Sequence, residues 1–545
     1  MVNSTKAQNL TALIIISAVI YLANYPQIYA GCIINNDYHY VAFHNNVWAA
    51  ILDQSKRLIP FASIINNLIM TYVFSYSAQL ARNTIVLLGL IPVSFIFYHI
   101  YRRCFGLPYV SAIVASTLPP VLPGQSLIPV FINGSYHTYA LVPSLLFFIA
   151  SYHYLEKKSK PIGFVALLFF VVSMFSTEVA VFTAIPFLFA LFVTFWDRSK
   201  LRLRRLLNYC AIIIAFRLVI YLLLPNKSAA YQMDISGEHL MRMRGCIESF
   251  SLLGNNLCFS TYSTYVVLGL GFISFLMLTI RKIFKKEPFC KMGYGTNWWL
   301  VSGFSLSWML LTAIPFVVLS RHTFTSRYGY TAAFGFSLLL VSAAHTCVRI
   351  RNSATIIKIL LISLLLLAGV SKYEYSRKYY GEKTLMAEFI KDNLSDIDFP
   401  RGSQVIILGG GLAYKLGTFS DLSWSTGFLN YHLNRDDLIG LISNHKSFKD
   451  RRRRGFPNPQ KPIFIFEYRN KTKELIRYKY LLQVRRNKKW VIYSVGLNDG
   501  RLATYASGSG EDQCLEAINQ LELGGQSRDQ IYGYGDIKES YRALP

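Results

Sequence analysis

The chain has 545 residues, of which 53% are hydrophobic and only 16% charged, well short of the roughly 25% charge of a soluble domain. Mean hydropathy is +0.33 although the last third is visibly polar, so the first two thirds are far more apolar than the average, which excludes a wholly soluble protein. The excess of 56 Lys+Arg over 29 Asp+Glu, formally +27, sits largely in short clusters between apolar runs, the pattern of membrane orientation rather than of nucleic-acid binding.

Apolar runs near the bilayer-spanning length of about 20 residues recur along that region. Leu10 to Ala30 is the first; nothing more basic than Lys6 precedes it and further runs follow, so it reads as a transmembrane helix and not as a cleaved signal. An outer-face loop, residues 32–81, comes next. Within it Pro60 to Tyr76 looks like a span, but counting it would put Arg102-Arg103 on the wrong side, so it is expected as an interfacial or half-inserted helix, with Arg82 marking the next true span. From Pro108 the chain crosses, carries a loop around Gln125 to Tyr139 and returns to Lys157. Pro161 to Trp196 holds two spans turning near Thr177-Glu178. Leu206 to Leu224 and Tyr265 to Ile280 pair around a polar loop, and Trp298 to Leu319 and Tyr328 to Thr346 pair around Arg321 to Arg327. Ile356 to Val370 is the last run. With the clusters at Arg102-Arg103, Lys157 to Lys160, Arg198 to Arg205, Arg281 to Lys286 and Arg349 to Arg351 all cytoplasmic, the expectation is a polytopic α-helical membrane protein. It has about eleven transmembrane helices, an inside N-terminus and an outside C-terminus.

After Ser371 charges become dense and Gly, Asn and Asp cluster. A helix over Glu382 to Leu394, a buried strand Gln404 to Leu408, and strands at Pro462 to Glu467 and Trp490 to Val495 predict a small C-terminal α/β or α+β domain on the outer face. The expected division is therefore a transmembrane domain, 1–371, and an extracytoplasmic soluble domain, 372–545. The triplet Gly409-Gly410-Gly411 lacks the spacing and the Lys-Ser/Thr of a nucleotide loop and reads as a turn. Eight cysteines form no CxxC or Cys/His metal spacing. Cys246 and Cys258 fall in one outer loop, either as a disulfide or as two separate thiols. The basic run Arg451 to Arg454 is either a solvated loop or a contact to anionic lipid or glycan.

Acidic residues are scarce before residue 371, so those predicted on the outer face stand out. Asp37 and His39 lie just after the first span, with Lys56 and Arg57 further along the same loop. His137 is in the second outer loop, Glu178 at the turn between two apolar spans, and Arg321, His322, Arg327 and Tyr328 around the late outer turn. A carboxylate at the mouth of a membrane helix is costly to desolvate and tends to be functional where it faces a cavity; the plainer reading is a loop Asp that solvates a helix end. Arginines beside carboxylates at a membrane surface suit a lipid-linked phosphosugar. The guanidinium groups bind phosphate with paired hydrogen bonds, and a carboxylate takes the proton of an attacking hydroxyl. The plainer reading of Arg321 and Arg327 is a headgroup anchor.

The first span followed by Asp37-Tyr38-His39-Tyr40, the Lys56-Arg57-Leu58-Ile59-Pro60 step, Thr177-Glu178 and the Arg327-Tyr328-Gly329-Tyr330 step together resemble the GT-C membrane glycosyltransferases. The branch is that of the protein O-mannosyltransferases and their tetratricopeptide-bearing relatives, and the likeness covers roughly residues 8 to 370. The resemblance implies inverting sugar transfer from a polyprenyl-phosphate donor on the non-cytoplasmic face. Asp37 would be the base, Glu178 a second acidic group near acceptor or metal, and Arg57 and Arg327 phosphate contacts. His39, His137, Arg321, His322 and Tyr328 complete the substrate-binding candidates. Asn36 stands where many members carry a second acidic residue, which leaves open whether a divalent metal takes part; no other cofactor is implied. No tetratricopeptide repeat is visible. The expected partners are the lipid-linked donor, an envelope glycan, glycolipid or protein acceptor, and membrane lipids, in a bacterial inner membrane with the C-terminal domain periplasmic or extracellular. Two other classes compete. A lipid-linked-sugar flippase or transporter would show paired repeats with broken helices, and a polysaccharide polymerase or ligase would show a long late outer loop; neither feature is present in the sequence.

Overall fold

The computed structural model describes residues 2–31, 64–65, 68–74, 77–125, 136–176, 180–223, 250, 257–284, 296–318, 326–347, 353–409, 412–416, 422–443, 461–469, 472–478, 480–484, 490–495, 502–508, 531–534 and 542–543. These form two compact units, one running as far as Tyr379 and one from Tyr380 onward, with Gly31 belonging to the second.

The first unit is helical. Helix α1 spans Val2–Ile28. A π-helical turn at Ile69–Phe74 precedes α2, Ala78–Cys104, which starts where the Ser77 side chain accepts the Leu80 N–H at 3.3 Å and contains two further π-helical stretches, Val86–Leu90 and Ile100–Cys104. Helix α3, Tyr109–Val121, ends at Pro119-Pro120, which supply no N–H to the ladder. Helices α4 (Tyr136–Lys157) and α5 (Lys160–Met174) are joined through Lys158 at φ 63°. Helix α6, Ala180–Leu223, is broken once, at Ser199 (φ −147°, ψ 36°), inside the basic stretch expected to separate two spans. Helices α7 (Leu257–Phe284), α8 (Trp298–Val318), α9 (Ser326–Cys347) and α10 (Ser353–Ser395) complete the series.

Among the described residues, four helices are long and apolar enough to cross a membrane: Lys6–Ile28, Ala78–Cys104, Thr138–Lys157 and Ala354–Ser395. Four more apolar helices are shorter: Tyr109–Val121, Lys160–Met174, Leu268–Ile280 and Trp298–Ala313. Their surfaces match an apolar surrounding. Helix α7 leaves Phe272, Ile273 and Met277 exposed, and α10 leaves Ile359, Leu366 and Val370 exposed, an arrangement that water would penalise by roughly 1.5–3 kcal/mol per side chain.

Small residues and hydroxyls hold the helices together, as expected where lipid offers no hydrophobic drive. A Cβ on Gly335 of α9 would lie 2.7 Å from the Ser305 carbonyl oxygen and 2.8 Å from the Met309 nitrogen of α8, so the two backbones touch. Beside this contact Trp308 Nε1 donates to the Thr331 carbonyl at 2.6 Å, and Ser302 and Ser342 hydroxyls meet at 2.6 Å. Ser144 bridges Ser173 (2.5 Å) and Thr183 (3.4 Å), tying α4 to α5 and α6. Phe97 of α2 stacks on Phe334 at 4.0 Å and meets Trp308 edge-on at 5.7 Å.

The second unit takes the end of α10 and two sheets. The run Gln404–Leu408 is strand β1, buried at all five positions, as a strand covered on both faces must be. Helices α11 (Leu412–Leu416) and α12 (Leu422–His432) lead to β2, Ile439–Ser443; β3 is Ile463–Arg469 and β4 Glu474–Tyr478. The order is β2-β1-β3-β4, with β1 parallel to both β2 and β3, and β4 antiparallel. Strands β5 (Tyr480–Val484), β6 (Trp490–Val495), β7 (Leu502–Gly508), β8 (Ile531–Tyr534) and β9 (Arg542–Ala543) form a second sheet in the order β7-β6-β5-β8-β9.

One boundary differs from the expectation. Helix α10 does not stop at Val370 and restart near Glu382; it runs unbroken from Ser353 to Ser395. Lys, Glu, Arg, Leu and Ala all extend a helix, and no proline interrupts the segment, so the change from apolar to charged residues marks a change of surroundings and not of backbone.

Candidate functional site

A buried polar cluster lies where the C-terminal ends of α1 and α3 meet the start of α2 and the middle of α10. Its members are Asn24 and Gln27 of α1, Arg82 of α2, Gln125 just beyond α3, and Lys372 and Ser376 of α10, all buried. Helix ends explain why they gather. The last four carbonyls of an α-helix have no partner in their own helix, and where they are buried side chains must satisfy them. Pro120, in the last turn of α3, has its carbonyl taken by Lys372 Nζ at 2.6 Å and by Asn24 Nδ2 at 3.3 Å. Lys372 Nζ also reaches the Gln125 carbonyl at 3.4 Å. The Arg82 guanidinium donates to the carbonyl of Ala30, just past the end of α1. Gln27 Nε2 donates to Ser376 Oγ at 3.0 Å, joining α1 to α10.

The layer carries two cations, Arg82 and Lys372. Both Arg82 and Lys372 serve carbonyls at the negative ends of helices, where a cation is favoured. Among the described residues the ion pairs are Arg103–Glu156, His153–Glu156, Arg435–Asp437 and Arg469–Glu467, so no described carboxylate faces Lys372. A buried ammonium without a counter-ion is expensive, and such a residue within a membrane-length helix is a functional candidate by default. Also among the described residues, the Thr117 hydroxyl, on the same face of α3 as Pro120, is buried without a hydrogen-bond partner.

The opposite end of the bundle differs. There Tyr98 donates to Asn9 at 3.4 Å, Arg102 to the Leu107 carbonyl at 2.7 Å, and Arg103 pairs with Glu156 at 4.0 Å. His345 stacks on Trp298 at 4.3 Å and hydrogen-bonds Ser111 at 2.8 Å. These contacts lock α3, α8 and α9 together and assemble no further group capable of chemistry among the described residues.

In the second unit the principal charged group is Asp437. Its carboxylate takes two hydrogen bonds from Arg435, each 2.8 Å, and the Gly402 N–H at 2.8 Å. The Arg435 contact, helped by that N–H, holds the carboxyl down at about 2. Burial, with Lys391 adding to it, pushes His432 down to about 4. Both serve the fold of the β1–β2 region.

Of the residues singled out in the sequence, Asp37, His39, Arg57, Glu178, Arg321, His322 and Cys246 lie outside the described residues. His137 falls in the first turn of α4, Arg327 and Tyr328 in the first turn of α9, and Cys258 in the first turn of α7, described in backbone only. Both acidic candidates, Asp37 and Glu178, are among those outside. The structure adds Asn24, Gln27, Lys372 and Ser376, which sequence reasoning missed, and gives Arg82 a role beyond marking a span. The available signal was a lone Lys two residues past the last apolar run, which looks the same as the first charge of a soluble domain. A comparison with protein-family models finds no match, and neither does a comparison with curated protein sequences.

Proposed function

We propose that this protein is a polytopic membrane glycosyltransferase with about eleven spans, moving a sugar from a polyprenyl-phosphate donor to an envelope glycan, glycolipid or protein on the non-cytoplasmic face. The observation that carries the reading is the buried, cation-bearing layer of Asn24, Gln27, Arg82 and Lys372 at the end of the bundle away from Arg102-Arg103. By the positive-inside rule that end faces outward, and Arg82 there grips Ala30, a few residues before Asp37 in sequence. Buried cations suit a phosphate that must be bound as a lipid-linked donor and stabilised as a leaving group.

In this reading Asp37 takes the proton of the acceptor hydroxyl as its oxygen attacks the anomeric carbon. The new carbon–oxygen bond forms as the bond to the phosphate oxygen breaks, and polyprenyl phosphate leaves with the electron pair, with inversion at that carbon. Most of the remaining work is positioning. Arg57 and Arg327 contact the donor phosphate, and Glu178 orients the acceptor. His39, His137, Arg321, His322 and Tyr328 line the substrate.

The test is transfer in proteoliposomes, with polyprenyl-phosphate sugars supplied one at a time and an envelope extract as acceptor, comparing wild type with Asp37→Asn. Transfer by wild type and its loss in the variant, by about 100-fold or more, support the reading. Wild-type turnover by Asp37→Asn sinks that residue as base. Absence of transfer with every donor, alongside movement of the lipid-linked sugar between leaflets, hands the protein to the flippase class.

A further inference from the structure

The end of the bundle away from the candidate site carries a charge cluster that the fold itself leaves unused. Between Asp197 and Arg205 the chain places five cations, Arg198, Lys200, Arg202, Arg204 and Arg205, beside the one carboxylate of Asp197. Helix α6 breaks inside this stretch, at Ser199. There the Ser199 hydroxyl donates to the Leu155 carbonyl near the end of α4 at 3.1 Å. Other basic residues at this end work within the protein: Arg102 donates to the Leu107 carbonyl, and Arg103 pairs with Glu156. None of the five cations makes a hydrogen bond or an ion pair among the described residues. Arg202 is half-buried and the other four are exposed.

Past the break, Leu203 and Leu206 pack inward while Arg204, Arg205, Tyr209, Ile212 and Phe216 are exposed. Positions 205, 209, 212 and 216 recur at helical spacing and share one face. Phe216 lies about 16 Å along the helix from Arg205 at 1.5 Å per residue, close to the roughly 15 Å of hydrocarbon in one leaflet. Before the break, Lys200 Nζ stands 5.0 Å from the ring centroid of Trp196, a cation held over an aromatic ring of the type that settles at headgroup level. The exposed stripe therefore begins with charge and continues with apolar side chains over the length of an acyl chain.

We infer that this stretch of α6 binds an anionic phospholipid of the cytoplasmic leaflet, its phosphate on Arg204 and Arg205 and an acyl chain along Tyr209, Ile212 and Phe216. The positive-inside rule turns this end to the cytoplasm, where the leaflet surface is negative. Guanidinium groups bind phosphate through paired hydrogen bonds, and Arg198 and Lys200 add charge just before the break. Five cations less one carboxylate leave four positive charges in nine residues. A zwitterionic headgroup brings a cation of its own and gains little from them. This lipid is a partner on the opposite side from the proposed donor, and its binding does not depend on the transferase reading.

The experiment uses the full chain in neutral detergent at one fixed ionic strength. Native mass spectrometry reads the affinity for two probes, phosphatidylglycerol and phosphatidylcholine with the same acyl chains. Wild type should bind phosphatidylglycerol at least about tenfold more tightly. Replacing Arg204→Gln together with Arg205→Gln should weaken phosphatidylglycerol by about 10- to 30-fold, roughly fivefold per cation, and leave phosphatidylcholine unchanged. Arg204→Lys with Arg205→Lys should restore most of the affinity, since the charge is kept. The control is Lys6→Gln with Lys358→Gln, which removes two exposed charges from the expected cytoplasmic starts of α1 and α10. It should change phosphatidylglycerol affinity by less than about twofold, because screening confines each charge to its own surroundings. All four substituted side chains are exposed, so the unfolding midpoint should stay at the wild-type value in every variant.

Equal affinity of wild type for the two lipids would overturn the inference, as would unchanged phosphatidylglycerol binding after Arg204→Gln with Arg205→Gln. A loss as large in the Lys6→Gln with Lys358→Gln control would overturn it too, by showing that total charge and not this stretch attracts the lipid.

Discussion

Replacing Gly335 by alanine is the most direct probe of the helical unit, because the new methyl group would meet backbone that cannot step aside. Its Cβ would lie 2.7 Å from the Ser305 carbonyl oxygen, 2.8 Å from the Met309 nitrogen and 3.0 Å from the Met309 Cβ, against ordinary contact near 3.5 Å. Helices α8 and α9 must therefore part by about 0.5–1 Å. Overpacking of this kind costs about 1–3 kcal/mol. The shift also stretches the Trp308–Thr331 and Ser302–Ser342 hydrogen bonds, each 2.6 Å, worth about 0.6 kcal/mol apiece in a membrane interior. The expected total is about 2–4 kcal/mol.

Gly269 and Gly369 are the controls, since a Cβ at either meets nothing within 4 Å; alanine there should be neutral or stabilising by up to about 1 kcal/mol. Gly271 should fall between, because its Cβ would press on Leu339 side-chain atoms at 2.5 to 2.9 Å rather than on backbone. Equilibrium unfolding of the full chain in mixed micelles, followed by tryptophan fluorescence, ranks the four variants. Stability of Gly335→Ala within about 0.5 kcal/mol of wild type, or a loss as large in Gly269→Ala, would refute the close helix contact on which the reasoning depends.

Two further variants probe other links. Asp437→Asn removes the acceptor for Arg435 and for the Gly402 N–H, so exchange with deuterium over residues 399–409 should speed up, for a local cost of about 1–2 kcal/mol at neutral pH. The Asp437 carboxyl is held down at about 2, below its unfolded value near 3.9. Its contribution is whole above about pH 4 and is lost as pH falls toward 2, and a wild-type exchange profile flat across that window would contradict this. Lys158 occupies the left-handed region at φ 63° between α4 and α5, where glycine is at ease. Lys158→Gly should raise the unfolding midpoint by the equivalent of about 0.5–1 kcal/mol, and a loss of stability would show that the turn depends on the lysine side chain.

What could be read from the sequence was governed by local physics. Bilayer length and apolar content located Trp298–Val318 and Ser326–Cys347 within a few residues, because a membrane-length run of apolar residues leaves the backbone no alternative to helix. The continuous apolar run Gln404–Leu408 was legible as a strand for a similar reason: five residues between polar flanks are too short for a buried helix. That Pro161 to Trp196 is divided between two helices was legible from the length of the run alone: α5 ends at Met174 and α6 begins at Ala180.

The candidate site was not legible, because its members come from positions up to 349 residues apart and each looks ordinary in its own segment. Lys372 reads as the first charge of a polar region and Asn24 as a tolerated amide near the end of a span. Only tertiary packing brings them to one carbonyl, that of Pro120. Hydropathy determines which segments leave water and how long they must be. It is silent on which orphan carbonyl a buried cation will find, since that depends on which helix ends the folded chain sets side by side.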